Sequence, residues 1–142
     1  MKLLTLLFLA LSLVIVVSST SQAAKEEDPW IWLNKLSGGE PPEIDVTGKW
    51  RDTEGTSTFS WGEGYLRQEQ SKINGVIGDY KVIGVVSGKK AYLVFLYKDR
   101  VYYSARLEMS NNLLTGNYFN GKDKEQKKGY PTSFTRIAEP KK

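Results

Sequence analysis

The chain contains no cysteine and no histidine, and these two absences remove much of the usual chemistry of a protein site. Without histidine the commonest general base near neutral pH is missing. Without cysteine, thiol nucleophiles and thiolate ligands are missing too, and with them nearly all zinc, copper and haem ligation. No disulfide can form, so stability must rest on burial and backbone hydrogen bonding alone. A lipid-modified N-terminal cysteine is excluded for the same reason. Carboxylates remain, and Glu63, Glu69, Asp79, Asp99 and Glu108 are the ones that could pair as acid and base. Most of them fall at turns or beside Lys and Arg, the pattern of a solvated surface. Asp123 and its neighbours are interrupted by lysines, so the chain has no oxygen-rich calcium loop. The expectation is a protein that is not an enzyme and holds no metal and no cofactor.

The chain has a single long apolar run. Lys2 precedes an almost unbroken stretch from Leu3 to Val17, followed by small polar residues, which is the three-part pattern of a secretory signal. Small residues at Ser21 and Ala23 place the expected cleavage after Ala23, and the run is short for a membrane span of about 20 residues. Residues 1–23 are therefore read as a leader, and the mature protein as periplasmic or secreted with no stable membrane span. Lys2 is the only charge in that leader, which leaves 19 basic against 16 acidic residues. The two signs alternate along most of the chain, a pattern of ordinary solubility rather than a nucleic-acid footprint. About 119 residues suit one domain with one core.

Residues 24–45 read as a helix and linker. Asp28 can cap a helix that has Pro29 at its first position, Gly38 would end it, and Gly38-Gly39-Glu40-Pro41-Pro42 continues as linker. Trp30, Leu33 and Leu36 fall near one helix face, which predicts packing against the domain's own core at one end of a barrel. Residues 46–138 change to short runs of β-branched and aromatic residues separated by Gly, Asn and Asp. Eight strands are expected, near Val46–Arg51, Thr56–Trp61, Gly64–Lys72, Val76–Ser87, Ala91–Lys98, Val101–Met109, Leu113–Phe119 and Tyr130–Ile137. Gly78 and Gly84 read as bends inside the long fourth strand, and Ile73-Asn74-Gly75 as a hairpin loop. Ala91 to Tyr97 is apolar on both faces and should be covered twice, by the core and by the N-terminal segment. Short loops make sequential strands antiparallel neighbours, so the fold class is an all-β, eight-stranded up-and-down meander. Closure into a barrel would remove its two raw edges. Residues 139–142 are a tail.

The first strand reads Val46-Thr47-Gly48-Lys49-Trp50, and Arg136 lies in the last. This resembles the calycin superfamily of lipocalins, fatty-acid-binding proteins and avidins, in which a Gly-x-Trp opens strand one and an Arg of the last strand lies across the indole. The resemblance covers about ten residues and a compatible strand count. It implies a closed barrel with Gly48, Trp50 and Arg136 as closure residues, and it carries no biotin site over, because the polar positions that hold biotin in avidins are missing.

The excess that remains is aromatic: eight Tyr and four Trp. Trp61, Tyr65, Tyr92, Tyr102 and Tyr118 could line a barrel mouth, with Arg67 and Arg106 adding charge for an anionic group. Trp61, Tyr65, Arg67, Tyr102, Arg106 and Tyr118 are thus the candidate ligand-binding residues, and a small apolar or amphipathic molecule is the leading partner. The alternative is a docking or inhibitor domain for an envelope or secreted protein. A carboxylate-pair hydrolase is a third reading, and nucleic acid is not an expected partner. An enclosed cavity would favour the small ligand, whereas a filled barrel with an exposed apolar patch would favour docking.

Overall fold

The protein is described by a computed structural model covering residues 27–53, 56, 60–121 and 129–138. The expected leader, residues 57–59 of the strand expected at Thr56–Trp61, the connection 122–128 and the tail lie outside the described residues. Among the described residues one helix, α1 (Pro29–Ser37), precedes eight strands: β1 (Gly48–Asp52), β2 (Glu63–Glu69), β3 (Lys72–Ile77), β4 (Tyr80–Ser87), β5 (Lys90–Tyr97), β6 (Arg100–Ser110), β7 (Leu113–Asn120) and β8 (Tyr130–Ile137). Each strand pairs antiparallel with the next, and β8 returns to β1 to close the barrel.

Two strand assignments differ from the sequence reading. Trp61 lies outside any strand, and the expected long strand Val76–Ser87 is broken by a tight turn at Gly78-Asp79, its first two residues ending β3 and Tyr80–Ser87 forming β4. Gly78 has φ +57, and a Cβ there would come within 2.0 Å of the Trp61 carbonyl oxygen, so the position is a turn that only glycine fits. The predicted loop Ile73-Asn74-Gly75 lies within β3. The continuous apolar run from Val82 to Val86 conceals these boundaries, because it gives no period-two signal.

The barrel is filled. Trp50, Leu66, Ile73, Ile77, Val82, Leu93, Phe95, Leu107, Leu114 and Phe134 are all wholly buried in one interior cluster. Burial of each such side chain contributes about 1.5–3 kcal/mol. At one end the chain before β1 forms the stopper. Ile44 and Val46 pack on the interior cluster, the Glu43 amide donates to the Gly88 carbonyl (2.8 Å), and the Gln68 side chain bonds Val46 and Ile44.

Helix α1 has the predicted ends. Asp28 Oδ1 accepts from the Trp30 amide at 2.9 Å, Pro29 is the first helical residue, and Gly38 is left-handed at φ 78. Its position corrects the expectation that it closes a barrel end. Trp32 and Leu33 lie on the outer wall, packed with Ile83, Val85, Tyr92 and Val94 of β4 and β5. That is why β5 is apolar on both faces: Ala91, Leu93 and Phe95 belong to the interior cluster, while Tyr92 and Val94 lie under the helix. Among the described residues no helix is long and apolar enough to cross a membrane.

Candidate binding site at the tyrosine-lined mouth

The closure residues meet as neighbours on the interior side of β1 and β8. Trp50 is register partner to Arg136, whose guanidinium carbon stands 4.8 Å from the indole centroid. Gly48 lies against the Arg136 side chain, and its φ of +148 is a backbone conformation that residues with a Cβ rarely adopt. Arg136 Nη2 donates to the Asp45 carbonyl (2.6 Å), and Trp50 Nε1 donates to the Val46 carbonyl (2.8 Å). The Thr47 hydroxyl and amide hold the Asp45 carboxyl below its ordinary pKa, with the Arg136 charge adding to them. This end of the barrel is a lock made of first strand, last strand and linker.

The opposite end is built from aromatics. Just before β2, Trp61 belongs to the interior cluster. Asp52 Oδ2 accepts from the amides of Trp61 and Gly62 and from the Ser60 hydroxyl, which fixes the chain there. Trp61 is 3% exposed, stacks on Phe95 at 4.3 Å between centroids, and donates from Nε1 to the Thr132 hydroxyl at 3.0 Å. Tyr80, Tyr103 and Tyr118 stand edge-on to it at 5.8, 5.2 and 5.4 Å. The phenols continue outward ring by ring: Tyr80 to Tyr97 at 6.4 Å, Tyr97 to Tyr102 at 5.9 Å, Tyr103 to Tyr118 at 5.8 Å and Tyr118 to Tyr130 at 5.4 Å. Six of the chain's eight tyrosines thus form one connected arc above Trp61. Tyr97, Tyr102 and Tyr130 on its rim are 41, 45 and 39% exposed, so a wall that begins in the core ends in water.

Burial, together with Tyr103 and Asp79 close by, holds the Tyr80 hydroxyl above the ordinary phenol pKa of 10. It therefore remains a neutral donor through physiological pH.

Of the six ligand-binding candidates, the mouth gathers Trp61, Tyr118 and Tyr102. Tyr65, Arg67 and Arg106 are exposed elsewhere on the barrel wall, Tyr65 beside a shallow cleft that includes Arg136 and Arg67 paired with Glu69 at 2.7 Å. Tyr92, also weighed for the mouth, lies under α1. Sequence reasoning missed Tyr80, Tyr97, Tyr103 and Tyr130. Each lies at or near the end of its strand and at the same end of the barrel, a coincidence that becomes readable once the β3–β4 turn is placed. The five carboxylates considered for catalysis are all exposed, with Glu63 near Lys49 at 3.7 Å and Glu69 on Arg67.

No known family, curated protein or solved structure matches the chain. The closed eight-stranded antiparallel barrel is compatible with a calycin-like architecture, and the geometry of the mouth is what bears on function.

Proposed function

We propose that this protein is an exported, non-enzymatic docking module of calycin-like build that engages another envelope or secreted protein through its tyrosine-lined mouth. One observation carries the reading: a contiguous arc of six tyrosines, seated on a buried Trp and open to solvent along its rim. Tyrosine and tryptophan are the side chains that most often anchor protein interfaces, because each offers a large rigid face and a polar tip at small entropic cost. The packed interior directs binding to the surface, and among the described residues the arc is the largest exposed aromatic feature of that surface. The leader pattern at residues 1–23 supports export.

A small apolar or amphipathic ligand is the second reading. It is favoured by the way Trp61 floors the mouth, and it would rest on the same rings.

The test is native mass spectrometry of the protein purified gently from its own host, comparing wild type with a Tyr97→Ser, Tyr102→Ser, Tyr130→Ser variant. Docking predicts a defined polypeptide that accompanies the wild type and is lost from the variant. A small mass lost in the same way would replace the leading reading by the second. A partner retained equally by both would place the binding surface elsewhere.

A further inference from the structure

The β5–β6 hairpin is where the rim departs most from regular strand geometry. Pairing runs Phe95 with Tyr103 and then Leu96 with Val101, so Tyr102 is an extra residue bulged out of the ladder. Val101 consequently joins the cluster under α1 instead of sharing a face with Tyr103, contrary to a strict alternation along β6. The bulge turns Tyr102 against Tyr97, and both remain exposed. The connecting residues Lys98 and Asp99 are both left-handed, at φ 48 and 62, in a turn whose usual occupants are Asn and Gly. Lys98 Nζ lies 5.5 Å from the Tyr97 ring centroid. Tyr97 and Arg100 face each other in the last pair of the hairpin, and the strand alternation that turns Phe95 inward places both on its mouth side.

Like Arg51, Lys72 and Arg106 on the walls, Lys81, Lys98 and Arg100 make no ion pair among the described residues, and at the tip such cations stand beside two exposed tyrosines, Tyr97 and Tyr102. Asp79 and Asp99 are interspersed with these cations. That mixture suits a partner with discrete carboxylates and apolar surface between them better than a uniformly charged polyanion, which the two aspartates would repel. Barrel closure leaves no free strand edge for β-addition among the described residues, so an extended segment must be held by side chains alone.

We propose that the hairpin tip, Tyr97 to Tyr102, recognises an acidic, extended segment of the partner protein. Arg100 and Lys98 take its carboxylates, while the faces of Tyr97 and Tyr102 pack against its backbone and apolar atoms. This rests on the reading of the mouth as the docking surface and adds the chemistry of what docks there.

The experiment is an NMR titration of the isotope-labelled protein, expressed with its own leader, against three probes: a Glu-Pro repeat peptide, the matching Gln-Pro peptide and heparin. Proline keeps both peptides extended and soluble. The expected result is saturable shifts confined to residues 96–103 and the neighbouring mouth with the Glu-Pro peptide, weakened about tenfold in Lys98→Gln/Arg100→Gln. Both side chains are exposed and, among the described residues, without ion pairs, and an unchanged amide fingerprint establishes that the variant is folded. Equal binding of the Gln-Pro peptide at the mouth would overturn the acidic preference and leave the docking reading intact. Tighter binding of heparin at the tip would replace a polypeptide partner by a polyanion. Shifts scattered over the basic residues of the wall, or no shifts with any probe, would overturn the proposal.

Discussion

At the residue scale, the protein is decided by two tryptophan placements that do opposite jobs. Arg136 covers Trp50 at the locked end with little room for substitution, since its planar group both faces the indole and donates to the Asp45 carbonyl. Arg136→Lys is expected to lower stability by about 1 kcal/mol, because an ammonium keeps the charge but loses the planar contact. Arg136→Ala should cost more, and the midpoint of denaturant unfolding measures both. Trp61 is packed against Tyr80, Phe95, Tyr103, Tyr118 and Phe134 at the other end, so Trp61→Ala should cost about 3–5 kcal/mol through the cavity it leaves. Tyr80 gives a pH signature. Its folded-state pKa is raised, so its contribution to stability is fully present below about pH 10 and is lost as pH climbs through the folded value. Titration followed by tyrosinate absorbance should show one late-ionising phenol that Tyr80→Phe removes, and the variant should tolerate alkaline pH better than the wild type. Loss in the variant of a phenol that ionises near pH 10 instead would contradict the half-buried placement of Tyr80 against the core.

At the element scale, the helix was legible because its signals are local: Asp28, Pro29 and Gly38 specify its ends without any knowledge of the barrel. Where it packs was not legible from Trp30, Leu33 and Leu36, because the outer faces of β4 and β5 that receive it are separated from it in the chain by the linker and three strands. The two-sided apolarity of β5 was the better clue, and the structure gives it its reason in Tyr92 and Val94 beneath Trp32 and Leu33. Leu33→Ala should therefore cost about 2–5 kcal/mol, read from thermal or denaturant unfolding, although Leu33 lies outside the barrel. The β5–β6 turn offers the reverse case. Asp99 is left-handed without being glycine, and Asp99→Gly should stabilise the protein by about 0.5–1 kcal/mol by relieving that strain. Equilibrium denaturation would show it, and a loss of stability would mean that the Asp99 side chain makes a contact outweighing the strain.

At the scale of the whole molecule, the closed antiparallel meander was legible because short loops and alternating residues specify a meander, and a meander of this length removes its edges by closing; the total of eight agrees although β3 falls where a loop was expected. The site was legible only in part. Trp61, Tyr102 and Tyr118 could be chosen as amphipathic aromatics, but which aromatics converge depends on register. Reading one strand through the Gly78-Asp79 turn conceals Tyr80, and the bulge at Tyr102 has no sequence marker of its own. Tyr65, Arg67 and Arg106 are of the same residue types, yet they lie elsewhere on the wall.

The molecule as a whole is an asymmetric barrel with a packed interior, locked by Trp50 and Arg136 at one end and open to a tyrosine arc at the other. The measurement that tests the docking reading most directly is site-specific photocrosslinking in the host, with a photoreactive phenylalanine analogue placed at Tyr97 or, in a second strain, at Tyr65. Both positions are exposed tyrosines, so the comparison isolates location. Docking at the mouth predicts a discrete adduct from position 97 and none from position 65, whereas a discrete adduct from position 65 alone would contradict it and move the binding surface to the barrel wall.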